Sequence, residues 1–351
     1  MKLLFVGDVV LDREIKYSQE FLDIVSGYDH CIANLEAPFI GDGSPVFKAG
    51  VWINSEEKYV SSLRSVFDTV TLANNHMMDY GERSLSYTSK ILDDHGFNYC
   101  GAGKSVTEAH EPVHVGDCFI FSIAENEFGC SSESGAGIAC FDDLNTLYDN
   151  IKKYSKLGKV IVCYHGGTEE IPLPPKYLRD RFSLLKSFGA DIIIGHHPHV
   201  VQGSDINSFY SLGNFYFIRQ NGNGYDNIDW SLVVGYDTET DKVELYFVSV
   251  IDDTVVLVEK ENEFEFLNEM LHDEEYENLS NIISLILYDR WYNEFRTSDN
   301  EVMLHYFRCD SHKNNLIKGL SYSINELSIH QSKKYKIQVD AGDAIRIRRM
   351  K

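Results

Sequence analysis

Three things are scarce in this chain, and each absence narrows its function. No apolar run approaches the roughly 18 residues of a membrane-spanning helix, so no span is expected. Basic side chains are in deficit: 32 Lys and Arg stand against 54 Asp and Glu, a net charge of −22. That charge repels polyanions, which argues against nonspecific binding to nucleic acid or to an anionic membrane surface and favours a bound cation. Paired cysteine motifs are missing too. The seven cysteines, at 31, 100, 118, 130, 140, 163 and 309, are odd in number and show no CxxC spacing. Cys31, Cys118 and Cys163 lie inside apolar runs as small core residues, a pattern suited to a reducing compartment. The opening Met-Lys-Leu-Leu-Phe-Val-Gly-Asp reaches an acidic residue at position 8, too early for a signal-peptide core, and reads as a first strand. A cytoplasmic protein is expected.

What is present describes a globular protein. With 43% hydrophobic and 25% charged residues over 351 positions, the chain has room for one large α/β domain and an appendage. Short continuous apolar runs, as in strands buried on both faces, occur at 3–6, 31–33, 69–73, 119–124, 160–164 and 191–194, with a further strand at 209–212. Helical spacing falls between them at 55–66, 83–94, 143–157 and 176–188. This alternation predicts a largely parallel or mixed sheet covered by helices. After residue 205 strands follow one another at 231–236, 243–250 and 254–259, as a second antiparallel layer or the far half of the same sandwich. Residues 261–300, with eleven acidic and two basic side chains, suit two amphipathic helices; residues 301–351 carry ten basic against five acidic. The two stretches are expected to pair with each other or face solvent. Boundaries are placed at 1–255 and 256–351.

The strand exits concentrate the chemistry. Gly195-His196-His197-Pro198-His199 holds three imidazoles in four residues, and the other exits end in Asp8, Asn34 with Glu36, Asn74-Asn75-His76, His165 with Glu169, and Asn214. Ligands bind beyond the carboxyl ends of strands in such sheets. Taken singly, an aspartate or asparagine there is an ordinary cap or turn residue. Together, carboxylate, amide and imidazole donors without a thiolate suit two divalent Mn, Fe or Zn ions. Phosphate-ester hydrolysis is the reaction that most needs such a clamp. Gly101-Ala102-Gly103-Lys104-Ser105 lacks the full phosphate-loop spacing and reads as a turn before a short helix. His30, His95, His110, His114, His272, His305, His312 and His330 have no comparable company and are expected to be structural or at the surface.

In order, Gly7-Asp8, Asn34-Leu35-Glu36, Asn74-Asn75-His76 with Asp79 and Gly81, His165-Gly166 with Glu169, Gly195-His196-His197-Pro198-His199-Val200 and Tyr210-Ser211-Leu212-Gly213-Asn214-Phe215 resemble the CapA family. That family is associated with poly-γ-glutamate and other capsule biosynthesis and is similar to calcineurin-like metallophosphoesterases. The resemblance covers about residues 1–250. It implies a four-layer α/β/β/α sandwich with a small C-terminal α+β extension, and a metal-dependent, phosphoesterase-type hydrolase acting on a phosphorylated or polymeric cell-surface precursor, with capsule-biosynthesis proteins as partners. It also implies that Asp8 and His199 serve one metal, that Asn75, His165 and His197 serve the other, and that Glu36 bridges them. His76 would protonate the leaving group or stabilise phosphoryl oxygens, with Asp8 and Glu169 also in the catalytic set. Asn34 and Asn214 would act on the substrate or behind the ligands. Two departures stand out. Val10 replaces the histidine of Asp-x-His, and Glu36 the usual aspartate. His196 would then replace His197 or fill the gap at the first metal. A non-catalytic capsule-assembly component is the alternative expectation, favoured by Val10.

Overall fold

The structure, a computed structural model, describes residues 1–142, 144–217, 230–291, 293, 305, 308–320, 332, 334–339 and 345–350. Within these, the Lys2–Val9 strand alternates its apolar residues by face, as period-two geometry requires. Leu3 and Phe5 join one hydrophobic core, Leu4 and Val6 the other. The strand is therefore buried on both sides and sits inside a nine-stranded sheet. His30–Leu35, Thr69–Thr71 and Asn98–Cys100 extend it in parallel on one side. Ser231–Asp237, Lys242–Ile251 and Thr254–Leu257 extend it antiparallel on the other. The late strands thus complete the first sheet and form no separate layer.

A six-stranded sheet faces it, built on Lys159–His165 between the parallel strands Cys118–Ala124 and Ile192–His196. Leu3 and Phe5 from the first sheet pack with Phe121, Ile161, Cys163 and Ile193 from the second. Helices cover both outer faces. Gly81–Asp94 buries Leu85, Ile91 and Leu92 on the first sheet, and Lys176–Phe188 buries Leu178, Phe182 and Leu185 on the second. The result is the expected mixed α/β sandwich with helices outside two central sheets.

Several local expectations shift. The helix expected over 55–66 is a 3-10 turn, Glu57–Tyr59, running into Val60–Arg64. The strand expected at 209–212 is only Ser208–Phe209, and residue 143, the expected start of a helix, lies outside the described residues, as does His330. The segment expected as a turn after Gly101 instead holds a two-residue strand, Ala102–Gly103, paired with Gly137–Ile138, before Ser105 caps the expected short helix, Val106–Ala109. Cys130 and Cys140 are joined in a disulfide with their Cα atoms 5.6 Å apart, which corrects the expectation of a fully reduced set. Spacing alone hides the pair because a loop, not a motif, brings the two together. Among the described residues the other five cysteines are free and buried, and no helix is long and apolar enough to cross a membrane.

Beyond residue 260, Glu261–His272, Tyr276–Arg290 and Asp310–Leu320 are helices, and Tyr335–Val339 pairs antiparallel with Ile345–Arg349. Met270, Leu271, Leu279, Ile283 and Ile345 join the same core as the second sheet. The acidic and basic stretches do pair: Arg349 Nη2 is 2.8 Å from Glu269 Oε2, and Lys334 Nζ is 3.2 Å from Asp273 Oδ2.

Candidate metal centre

The site grows from strand ends brought to one place by register. Asp8 lies opposite Asn34 on one side and Asn214 on the other, and His165 lies opposite His196. Gly195 permits the last pairing to pass close to the next segment, since a Cβ there would meet the Tyr210 carbonyl oxygen at 2.0 Å. Beyond the strand, His197 and His199 take left-handed backbone, φ 97° and 60°. Each such residue costs about 1–3 kcal/mol and persists only where its surroundings fix it. The strain turns both imidazoles inward.

Asp8, Glu36, His165, His196, His197 and His199 are all nearly inaccessible to solvent. Donor atoms of Asp8, Glu36 and His199 lie within 4.8 Å of one another. His165 Nε2 is 3.9 Å from Glu36 Oε1, and His199 Nε2 is 3.8 Å from the same oxygen. Glu36 therefore stands between a histidine at a strand end and one in the loop beyond Ile192–His196. His165 Nε2 also lies 3.1 Å from Asn75 Oδ1 and 3.2 Å from His197 Nδ1.

The partners of Asp8 divide by oxygen. Oδ1 accepts from Asn34 Nδ2 at 2.7 Å and faces His196 Nδ1 at 3.2 Å. Oδ2 accepts from the His197 amide at 3.2 Å and faces His199 Nδ1 at 3.9 Å. His196 thus grips Asp8 on the oxygen already held by Asn34, whereas His197 joins His165. Asn34 is fixed in turn by Thr71, which donates to its Oδ1 at 3.1 Å. Asn214 Oδ1 is 2.9 Å from His199 Nδ1, the geometry of an amide orienting an imidazole. Val10 is buried and offers no donor atom.

Electrostatics separate the protonation states. Burial would raise the Asp8 carboxyl, but the close His196 ring and the other neighbouring imidazoles outweigh it and hold the group well below the usual carboxylate range. Burial, then repulsion from His197, pushes His165 well below an ordinary histidine. It is therefore neutral, the form that binds metal. Burial works against charge on His197 as well, but Glu169, Glu127, Glu125 and Asp8 raise it overall. Ionised carboxylate and neutral imidazole make a donor set that fits borderline divalent ions.

His76 lies beside this cluster, not in it. Its Nδ1 is 2.8 Å from Asp79 Oδ2 and 3.4 Å from Lys48 Nζ, and Lys48 forms an ion pair with Asp79. Burial lowers its pKa, with Asp79 opposing. It opens with Asn75, His197 and Glu169 onto a cavity of about 390 Å³. Glu169 is 48% exposed, and its Oε1 is 4.0 Å from His199 Nε2.

Sequence reasoning missed the rest of this cavity. Lys48 comes from the aperiodic 41–53 loop, which carries no pattern to mark it. Glu127, raised to about 7 by burial, and Arg290, His305, Cys309 and His312 also line it. The last four belong to the C-terminal extension, so the segment without a recognisable motif closes the site.

A two-sheet sandwich with such a centre at its strand ends defines a metallophosphoesterase-like α/β protein. Residues 2–219 match the model of the bacterial capsule synthesis protein family PGA_cap, and the chain belongs to that family. Over 248 residues it is 28% identical to "Capsule biosynthesis protein CapA" of Bacillus anthracis, a match covering 62% of this chain and 60% of that one. Over 279 residues it is 26% identical to "PGA biosynthesis protein CapA" of Bacillus subtilis (strain 168), covering 71% and 70%. The chain therefore spans only 60% of the length of the first relative.

Proposed function

We propose that this protein is a metal-dependent hydrolase of phosphoesterase type that acts in capsule or cell-surface polymer synthesis. The observation that carries the reading is the convergence of Asp8, Glu36 and His199 donor atoms within 4.8 Å, next to a His76 oriented by Asp79. Asp8 and His199 would hold one divalent ion, Asn75, His165 and His197 a second, and Glu36 both. When bound, such ions supply Lewis acidity and lower the pKa of water toward neutrality.

The chain's own residues do the remaining work. His196 and Asn34 fix the Asp8 carboxylate, and Asn214 fixes the His199 ring. Asp79 engages His76 Nδ1, which leaves Nε2 to exchange a proton with a leaving group in the cavity. Lys48 provides a positive charge at the same edge, suited to an anionic substrate. Glu169, half-exposed at the rim, is placed to meet substrate or to orient His199.

The test compares His76→Ala with the unaltered protein, in metal content and in hydrolysis of a chromogenic phosphodiester. The expected result is loss of at least about 100-fold in kcat, as for a removed general acid, with metal content preserved. Undiminished activity in His76→Ala would overturn the assignment. A second reading, a non-catalytic assembly component that retains the metal site, is favoured by one feature: Val10 takes from the first ion an imidazole that metallophosphoesterases use. It predicts bound metal and no turnover of any phosphoester in the unaltered protein.

A further inference from the structure

His305, Cys309 and His312 stand at i, i+4 and i+7, the spacing that puts side chains on one face of a helix. The Cys309 amide donates to the His305 carbonyl at 2.8 Å, and the Lys313 amide to the Cys309 carbonyl at 2.9 Å. One ligand atom from each of the three lies within 4.8 Å of the other two. The two imidazole rings are 4.7 Å apart and nearly perpendicular, and the Cys309 thiol is buried. His305 Nε2 is also 3.8 Å from Glu127 Oε1. Both histidines, expected from the sequence to be structural or at the surface, thus have company that only the fold supplies.

We propose that His305, Cys309 and His312 bind a zinc ion, with Glu127 supplying a carboxylate charge beside it. The donor set decides the metal: one thiolate and two imidazoles select zinc over calcium or magnesium, which prefer oxygen. Ligand atoms of a tetrahedral zinc stand about 3.3–3.8 Å apart, given bonds of about 2.0–2.3 Å. The three donor atoms, within 4.8 Å of one another, stand at most about 1.5 Å farther apart than that. The same cavity gathers three carboxylates, Glu127, Glu169 and Glu170, against two cations, Lys48 and Arg290. Binding would release the thiol proton to solvent and leave the sulfur as thiolate.

This centre shares no ligand with the one around Asp8 and does not depend on that reading. Its consequence is architectural. Cys309 Sγ is 3.9 Å from Glu125 Oε1, the Asp310 amide donates to the Asn126 carbonyl at 3.2 Å, and the His305 ring stacks on Phe128 at 5.0 Å. An ion there would pin the extension to the 125–128 loop and fix one wall of the cavity.

The experiment loads the full-length chain with Co²⁺ in place of zinc and records near-ultraviolet absorption, alongside zinc content by elemental analysis. The expected result is a thiolate-to-cobalt charge-transfer band in the unaltered protein. Cys309→Ser should lose that band together with a full equivalent of zinc, whereas Asp8→Ala keeps both. His312→Ala, with folding checked by circular dichroism, should lose the zinc equivalent as well. Absence of the band in the folded, cobalt-loaded protein, or a band unchanged in Cys309→Ser, would overturn the proposal. Failure of the Asp8 centre alone would appear differently, as a missing Asp8-dependent equivalent with the Cys309-dependent band intact.

Discussion

At the scale of single residues, the site depends as much on what is small as on what is charged. A Cβ added to Gly7 would meet the Gly213 carbonyl oxygen at 1.9 Å, and that close approach is what sets Asp8 opposite Asn214. The clash is with backbone, so relief requires moving a strand. Gly7→Ala is expected to destabilise by about 1–3 kcal/mol, the usual cost of overpacking, and to weaken metal retention. Urea denaturation and metal analysis of the variant check this, and an unchanged midpoint would contradict it. Most ligand candidates were legible in the sequence because each ends an apolar run, and a run can be recognised without knowing its partners. The division of labour between His196 and His197 was not legible. Adjacent residues at a strand exit turn to different sides, and only the contacts with Asp8 and His165 show which goes where.

At the scale of elements, apolar runs and helical spacing foretold most strands and helices, since period two and period 3.6 are local properties. They did not tell which sheet the 231–257 strands would join. That depends on Lys2–Val9 having a free edge, which is a matter of topology. The two helices within 261–300 were foreseen as amphipathic and the Asp310–Leu320 helix was not, and a pattern says that a face will be buried and not against what. One buried group now ties two of these elements together. Arg181, on the Lys176–Phe188 helix, donates to Asp310 Oδ2 at 2.8 Å and to the Tyr164 hydroxyl at 2.8 Å, and stands 3.7 Å from Glu125 Oε2. Its side chain is only 17% exposed, so water can replace little of this. Arg181→Met would leave Glu125 and Asp310 without their shared cation, and the expected loss is about 3–5 kcal/mol. Chemical denaturation measures it, and a cost below about 1 kcal/mol, as at an exposed pair, would show that the extension docks without this contact.

At the scale of the whole molecule, the net charge of −22 is a blunt signal about the site. Ionised Asp8, buried beside Glu36, sits in a protein already crowded with negative charge, and self-repulsion of that kind opposes the compact state. A divalent cation held in the centre would offset the buried Asp8–Glu36 charge and ease the wider repulsion, and because the unfolded chain scatters the ligands, only the native state would gain. Binding at a free metal concentration one hundred times Kd then adds about 2.7 kcal/mol to folding stability. Dialysis against a chelator is therefore expected to lower Tm, and returning Mn²⁺ or Zn²⁺ should restore it. The same cycle applied to His199→Ala should give a smaller shift, because a ligand from the Asp8 centre is gone while the Cys309 centre stays. Differential scanning calorimetry of both proteins reads the difference, and equal shifts would mean that the stabilising ion does not use His199.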